Sequence, residues 1–204
     1  MVDSQGQREE LRILLDTHED PDRLAQDLLE ILKTKGRTIV LKASGYSMLP
    51  TILHGDELVI EHVSPSAIRR GDLITFYAGS TVVTHRVVRL KRTRSKVSIL
   101  QKGDNGVKAY PLPPESIIGK VVTIHSGGIA IALKGPFATG AGFITALIES
   151  MLLGPIQTLS DRMKGPGARR GWTTLYLYRA LLHLRHRCVR ALCGAVRRFC
   201  KSRD

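Results

Sequence analysis

The stretch DLITFYAGSTVVTHRVVRL, residues 72–90, decides the fold class of this chain. Its Val, Ile, Thr and aromatic residues form two short runs that are typical of β-strands. Similar runs occupy the sequence from Thr38 to about Leu133, namely TIVLKA, ELVIEH, KVSILQ, IIGKVVTIH and GIAIAL. Turn-forming dipeptides separate them, including Gly55-Asp56, Gly71-Asp72 and Gly103-Asp104. We therefore predict a mainly β fold, a compact antiparallel half-barrel or coiled sheet.

Helical signals flank the β-rich region on both sides. Asp20 and Pro21 begin an amphipathic segment that ends at Gly36, which predicts a packing helix over residues 21–35. Four segments follow from these patterns. They are an N-terminal helical segment (1–37), the β-domain (38–134), an apolar Gly/Ala-rich connector or marginal membrane segment (135–165) and a basic amphipathic helical tail (166–204).

The net charge of +13 is concentrated in that tail. From Trp172 to Phe199 the apolar residues recur at helical spacing, and arginines occupy most of the other positions. Such a helix suits the surface of an anionic membrane, which is the partner we expect, with no specific nucleic acid. The alternative is a helix that folds back onto its own domain with a solvated basic face.

For the rest of the chain, the sequence gives a weaker indication of membrane contact. Residues 135–160 carry only Glu149 as a charge, yet a carboxylate near the middle of a span costs about 3 kcal/mol. The first residues show no signal peptide pattern. We expect a protein associated with the cytoplasmic membrane, on a side that the sequence leaves open.

Cysteine spacing gives little support to a metal or redox site. Cys188, Cys193 and Cys200 fit neither a CxxC pair nor a zinc ligand set, and we interpret them as small apolar residues in a reducing compartment. No phosphate-binding glycine loop is visible, so no metal and no cofactor is expected.

The segment KASGYSMLPT, residues 42–51, has the features of a nucleophile loop, with a serine beside glycine and apolar neighbours. Five further boxes follow it in order: GDELVI, RRGDLITF, THRVV, QKGDN and IIGKVV. From about Ser44 to Val122 this series resembles the signal peptidase I family, within the clan that includes self-cleaving repressors. The resemblance implies a signal-peptidase-type β-fold and a serine endopeptidase that cleaves signal-like or leader-like precursors.

The resemblance also implies individual roles. Ser47 matches the nucleophile, and His85 in THRVV matches the base of the histidine-type enzymes of the endoplasmic reticulum, archaea and spore-forming bacteria. Asp104 matches the acid of the GDN box, and Ser44 corresponds to a serine that assists the oxyanion hole. In the histidine-type enzymes the acid of the triad lies several residues after the GDN box, whereas here no carboxylate follows Asp104 before Glu115. Three interpretations therefore stay open: Asp104 orients the base, the enzyme works as a dyad, or activity is reduced or lost.

Two other functions remain as alternatives. One is a catalytically silent relative that uses the β-domain for binding, which the missing downstream carboxylate favours. The other is a self-cleaving regulator, which predicts a DNA-binding helix-turn-helix before the protease domain and a lysine base.

Overall fold

The computed structural model describes residues 38–79, 81–93, 97–164 and 172–202. Within these ranges the chain forms one antiparallel sheet of nine strands, two long helices and two short 3-10 turns. The prediction of a mainly β, antiparallel fold with a C-terminal basic helix is therefore confirmed. The helix predicted over 21–35 lies outside the described residues, and the four segment boundaries stay a prediction.

The strands follow the Val- and Ile-rich runs of the sequence. Their bounds are β1 Thr38–Lys42, β2 Glu57–Glu61, β3 Leu73–Ala78, β4 Thr81–Arg92, β5 Val97–Lys102, β6 Tyr110–Leu112, β7 Ile117–Ser126, β8 Ile129–Ala132 and β9 Lys201–Ser202. The 3-10 turns are Pro65–Ala67 and Pro114–Ser116, and the helices are α1 Pro136–Lys164 and α2 Trp172–Phe199.

The order of the sheet is β1-β2-β7-β3-β4-β5-β6, with β8 added to β7 and β9 to β8. Every pair is antiparallel, which the short turns between β3 and β4, between β4 and β5 and between β7 and β8 favour for those neighbours. Two apolar clusters form the core. One lies around Ile60 and Val121, and the other around Ile74 and Val87.

The two helices pack against each other and α1 also contacts β4. At the closest approach, Gly71 has a φ of +95° and its missing Cβ would lie 2.4 Å from the carbonyl carbon of Gly142. Only glycine fits here, both for the left-handed backbone and for the close approach of the helix. The Gly71-Asp72 turn thus lets α1 lie directly on the sheet.

The segment left open as a connector or marginal membrane segment, residues 135–165, contains α1. In the described ranges no helix combines the length and the apolarity needed to cross a bilayer.

Candidate active site

The predicted nucleophile lies on an irregular turn directly after β1. Ser47 itself is exposed, whereas the next residue, Met48, is buried at 4% exposure. Backbone N–H groups of Thr51 and Ile52 donate to the Met48 carbonyl, at 2.8 and 3.1 Å. The turn is therefore fixed in the core by its Met while the serine hydroxyl faces solvent.

The structure brings His85 to this hydroxyl. His85 lies on β4, and its Nε2 is 3.1 Å from the Oγ of Ser47, which is hydrogen-bonding distance. The side chain of Phe76 meets the imidazole edge-on with ring centroids 5.9 Å apart. Serine and histidine thus have the separation that a nucleophile and its general base require.

The loop that carries the QKGDN box closes over this pair. The N–H of Asn105 donates to the Ser47 carbonyl at 2.8 Å, and the N–H of Asp104 points at the Met48 sulfur at 3.5 Å. A Cβ on Gly103 would lie 2.6 Å from the Ser47 carbonyl oxygen and 3.0 Å from the His85 Nε2. The glycine of this box is needed because the loop backbone packs directly on both residues.

The other nitrogen of His85 is held by Gln101, a residue that the sequence reasoning missed. The Oε1 of Gln101 is 2.6 Å from the His85 Nδ1. The carboxamide oxygen accepts from Nδ1–H, and this tautomer leaves the Nε2 lone pair facing the serine hydroxyl. Gln101 is itself buried at 6% exposure, so its side chain has little freedom to turn away.

The protonation of His85 is biased towards the neutral form. Burial lowers the pKa of His85 below its usual value of 6.5, and the nearby Lys102 adds to this, while the bond to Gln101 and the charge of Asp104 oppose it. A neutral imidazole is the form that can accept a proton from serine.

Asp104 lies next to this pair but bonds to other groups. Its carboxylate receives two hydrogen bonds from the Arg86 guanidinium, at 2.8 and 2.7 Å, and one from the Thr51 hydroxyl. Burial alone would raise the pKa of Asp104, yet the Arg86 charge and these hydrogen bonds bring it below the usual value. Asp104 is therefore an ionised group that fixes Arg86 beneath the site, and the direct contact of the His85 Nδ1 is with Gln101.

A second layer of buried charge connects the site loop to the helices. Glu149 of α1 forms ion pairs with Lys102 at 2.8 Å and with Arg185 of α2 at 2.9 Å. Lys102 also donates to the Gly103 carbonyl at 2.9 Å, and Arg185 donates to the Asp104 carbonyl. The helix α2 thus contributes a hydrogen bond to the backbone of the QKGDN loop, and α1 contributes the carboxylate that holds Lys102 and Arg185.

Ser44, the predicted oxyanion residue, is exposed at the start of the same turn. Its carbonyl accepts from the Nδ1 of His54 at 2.9 Å, and the ring of His54 stacks on Tyr46 with centroids 5.4 Å apart. These contacts fix the backbone around Ser44, while the role of its hydroxyl stays a prediction.

The model of the Peptidase S24-like family matches residues 10–122, which is more than half of the chain. The chain belongs to the Peptidase S24-like family. No curated protein matches it.

Membership of the Peptidase S24-like family indicates a serine-type peptidase in general. The family match ends at Val122, where the resemblance stated above also ends, and it begins earlier, at residue 10. Ser47, His85, Gln101 and Asp104 all lie inside it. The two long helices lie outside it, although Glu149 and Arg185 reach the same site.

The described residues hold no cluster of three or more His, Cys, Asp or Glu side chains that could bind a metal ion. The three cysteines are free thiols. Burial raises the pKa of Cys193, whose sulfur lies 3.1 Å from the Thr51 hydroxyl. A raised pKa makes this thiol a poor nucleophile, so the candidate nucleophile of the site is Ser47.

Proposed function

We propose that this protein is a serine endopeptidase that cleaves signal-like or leader-like precursor peptides through an acyl-enzyme on Ser47. The single observation that carries the proposal is the 3.1 Å contact between the Oγ of the exposed Ser47 and the His85 Nε2. Family membership supports the reaction type. The ordered sequence boxes support the choice of precursor peptides as substrates.

The proposed reaction proceeds in two steps. The Ser47 Oγ attacks the scissile carbonyl carbon while Nε2 of His85 takes the hydroxyl proton, and the protonated imidazole then gives that proton to the leaving amine. Water attacks the acyl-enzyme in the same way, with its proton passing through His85 to the departing Ser47 oxygen. Gln101 holds the ring in one tautomer throughout, so the base does not have to reorient between the steps.

The assay is cleavage of a precursor with an Ala-x-Ala site by the full-length protein in detergent. Ser47→Ala and His85→Ala should each abolish product, while the exposed residues Ser64 and His183 provide matched controls as Ser64→Ala and His183→Ala. Equal cleavage by wild type and Ser47→Ala would refute the serine mechanism.

Self-cleavage is a second candidate. The Peptidase S24-like match favours it because the matched region includes residues 10–37, a segment of the same chain ahead of the β-domain that would then be the substrate. Intact mass measured over time at several protein concentrations tests it. A fragment that forms at a concentration-independent rate in wild type, and not in Ser47→Ala, would support an intramolecular reaction.

The alternative of a silent binding domain predicts that Ser47 and His85 lie far apart. Their contact at 3.1 Å, together with the ordered Gln101 bond, argues against it. The expected membrane association is a separate proposal, which concerns a different surface of the protein.

A further inference from the structure

The helix α1 presents an exposed apolar face to solvent. Phe137, Ile144 and Met151 are 45%, 45% and 65% exposed, and Phe143 beside them is 46% exposed. The first three are spaced by seven residues, which places them in one row along the helix. We call these four side chains the α1 face.

This face also lacks charge. Between Pro136 and Leu152 the one ionisable side chain is Glu149, and it is buried in ion pairs with Lys102 and Arg185. A contiguous row of exposed large apolar side chains is unusual on the surface of a monomer and marks a contact surface.

Arginines border the face at the N-terminal end of α1. The Arg70 guanidinium lies over the ring of Phe143, 5.5 Å from its centroid. Arg69 and Arg92 line the same open concavity as Phe143 and the first turn of α1. The positive end of the helix dipole adds to these three charges, and the first turn has no acidic residue to offset it.

The helix α2 offers a contrast. Part of its apolar stripe, which the sequence suggested for membrane contact, is turned inward in this structure, while Phe199 at its end is 74% exposed and lies against Phe137 with ring centroids 5.0 Å apart. Val189 is 1% exposed, and Leu192 and Val196 line an internal cavity between the helices and the sheet. These inward-facing residues do not reach a membrane in this conformation.

We propose that the α1 face binds the surface of a membrane that contains anionic lipids, with its aromatic and aliphatic side chains in the interface and Arg69, Arg70 and Arg92 at the phosphates. An apolar row bordered by cations suits such a surface. Nucleic acid fits less well, because the centre of the face offers apolar groups where a polynucleotide requires phosphate contacts. The inference does not depend on the peptidase proposal.

The test is co-sedimentation of the full-length protein with vesicles of phosphatidylcholine alone and of phosphatidylcholine mixed with phosphatidylglycerol. Ser47→Ala is used throughout, so that proteolysis cannot affect the result. We expect binding to the anionic vesicles and little to the neutral ones. Phe143→Ser should weaken binding about tenfold through lost apolar contact, and Arg69→Gln about fivefold through a lost charge.

Two controls match these variants at the far ends of the sheet. Tyr110→Ser removes an aromatic side chain that is 53% exposed on β6, and Lys42→Gln removes a charge from the exposed end of β1. Both should bind like the parent protein. Thermal melting of each variant shows that the fold is retained.

Three outcomes would overturn the proposal. They are equal binding to neutral and anionic vesicles, unchanged binding of both Phe143→Ser and Arg69→Gln, and a dimer in solution that Phe143→Ser dissociates. The last result would mean that a second copy of the chain covers the α1 face.

Discussion

Replacing Gln101 with glutamate tests how the site controls its base. In the wild type the Gln101 Oε1 lies 2.6 Å from the His85 Nδ1, and Gln101→Glu puts a carboxylate there. Opposite unit charges about 4 Å apart interact by about 4 kcal/mol at an effective dielectric of about 20. Since His85 is only partly buried and Lys102 is close, we take half of this, about 2 kcal/mol.

That energy favours the imidazolium and so raises the pKa of His85. The base then becomes protonated at higher pH, and the acid limb of the profile of kcat/KM against pH should move up by about 1.5 pH units. In the wild type this limb should lie below pH 6.5, because burial lowers the pKa of His85. Gln101→Ala, which removes the acceptor at Nδ1, should instead lower kcat by about 10² at all pH values.

The assay is the rate of precursor cleavage from about pH 5 to about pH 9, a range that includes the usual pKa of a histidine side chain and extends well to either side of it. An NMR titration of His85 in the Ser47→Ala background measures the same pKa without catalysis. If the acid limb and the NMR titration of Gln101→Glu coincide with those of the wild-type protein, the contact at Nδ1 does not set the pKa of His85 and the reasoning is wrong.

Two further substitutions probe the loop beside this pair. Gly103→Ala should lower kcat by about 10² or more, because its Cβ would lie 2.6 Å from the Ser47 carbonyl oxygen; Gly106→Ala is the control, since its Cβ meets its nearest neighbour at 3.4 Å. Asp104→Asn should destabilise the fold by about 3 kcal/mol in denaturant unfolding, because it leaves the buried Arg86 without its counter-charge. The pKa of Asp104 is lower in the folded chain, so its contribution to stability is present above about pH 4 and is lost as the pH falls through the folded value. In Asp104→Asn the free energy of unfolding should therefore fall less steeply as the pH is lowered below about pH 4. An unchanged dependence on pH would contradict this account.

The sequence predicted the sheet well because the strands carry a local signal. The runs TIVLKA, DLITFYA and TVVTHRVVRL became β1, β3 and β4 with small changes at their ends. The period of Trp172–Phe199 likewise predicted α2 over the same residues. The direction in which α2 turns its apolar stripe depends on distant partners, and periodicity carries no information about those.

Gln101 could not be predicted in the same way. Its contact with His85 depends on the register of β4 and β5, in which Val87 pairs with Gln101 and Arg86 with Lys102. The family pattern predicted that a carboxylate would orient His85. Asp104 lies near His85, but Arg86, the next residue on β4, donates hydrogen bonds to both oxygens of its carboxylate. A polar, uncharged residue near the end of a strand, two residues before the glycine of the GDN box, was the available signal.

The helices belong to the site through charge as well as packing. Among the described residues, Arg86, Lys102 and Arg185 are buried beside two carboxylates that pair with them, Asp104 and Glu149. Burial is the main cause that lowers the pKa of His85 and keeps the imidazole neutral before reaction, while the charge of Asp104 opposes it and the smaller effect of Lys102 adds to it. Because Glu149 and Arg185 come from α1 and α2, the two helices fix Lys102 and the backbone of Asp104 beside the site, although they lie beyond the residues that match the family model.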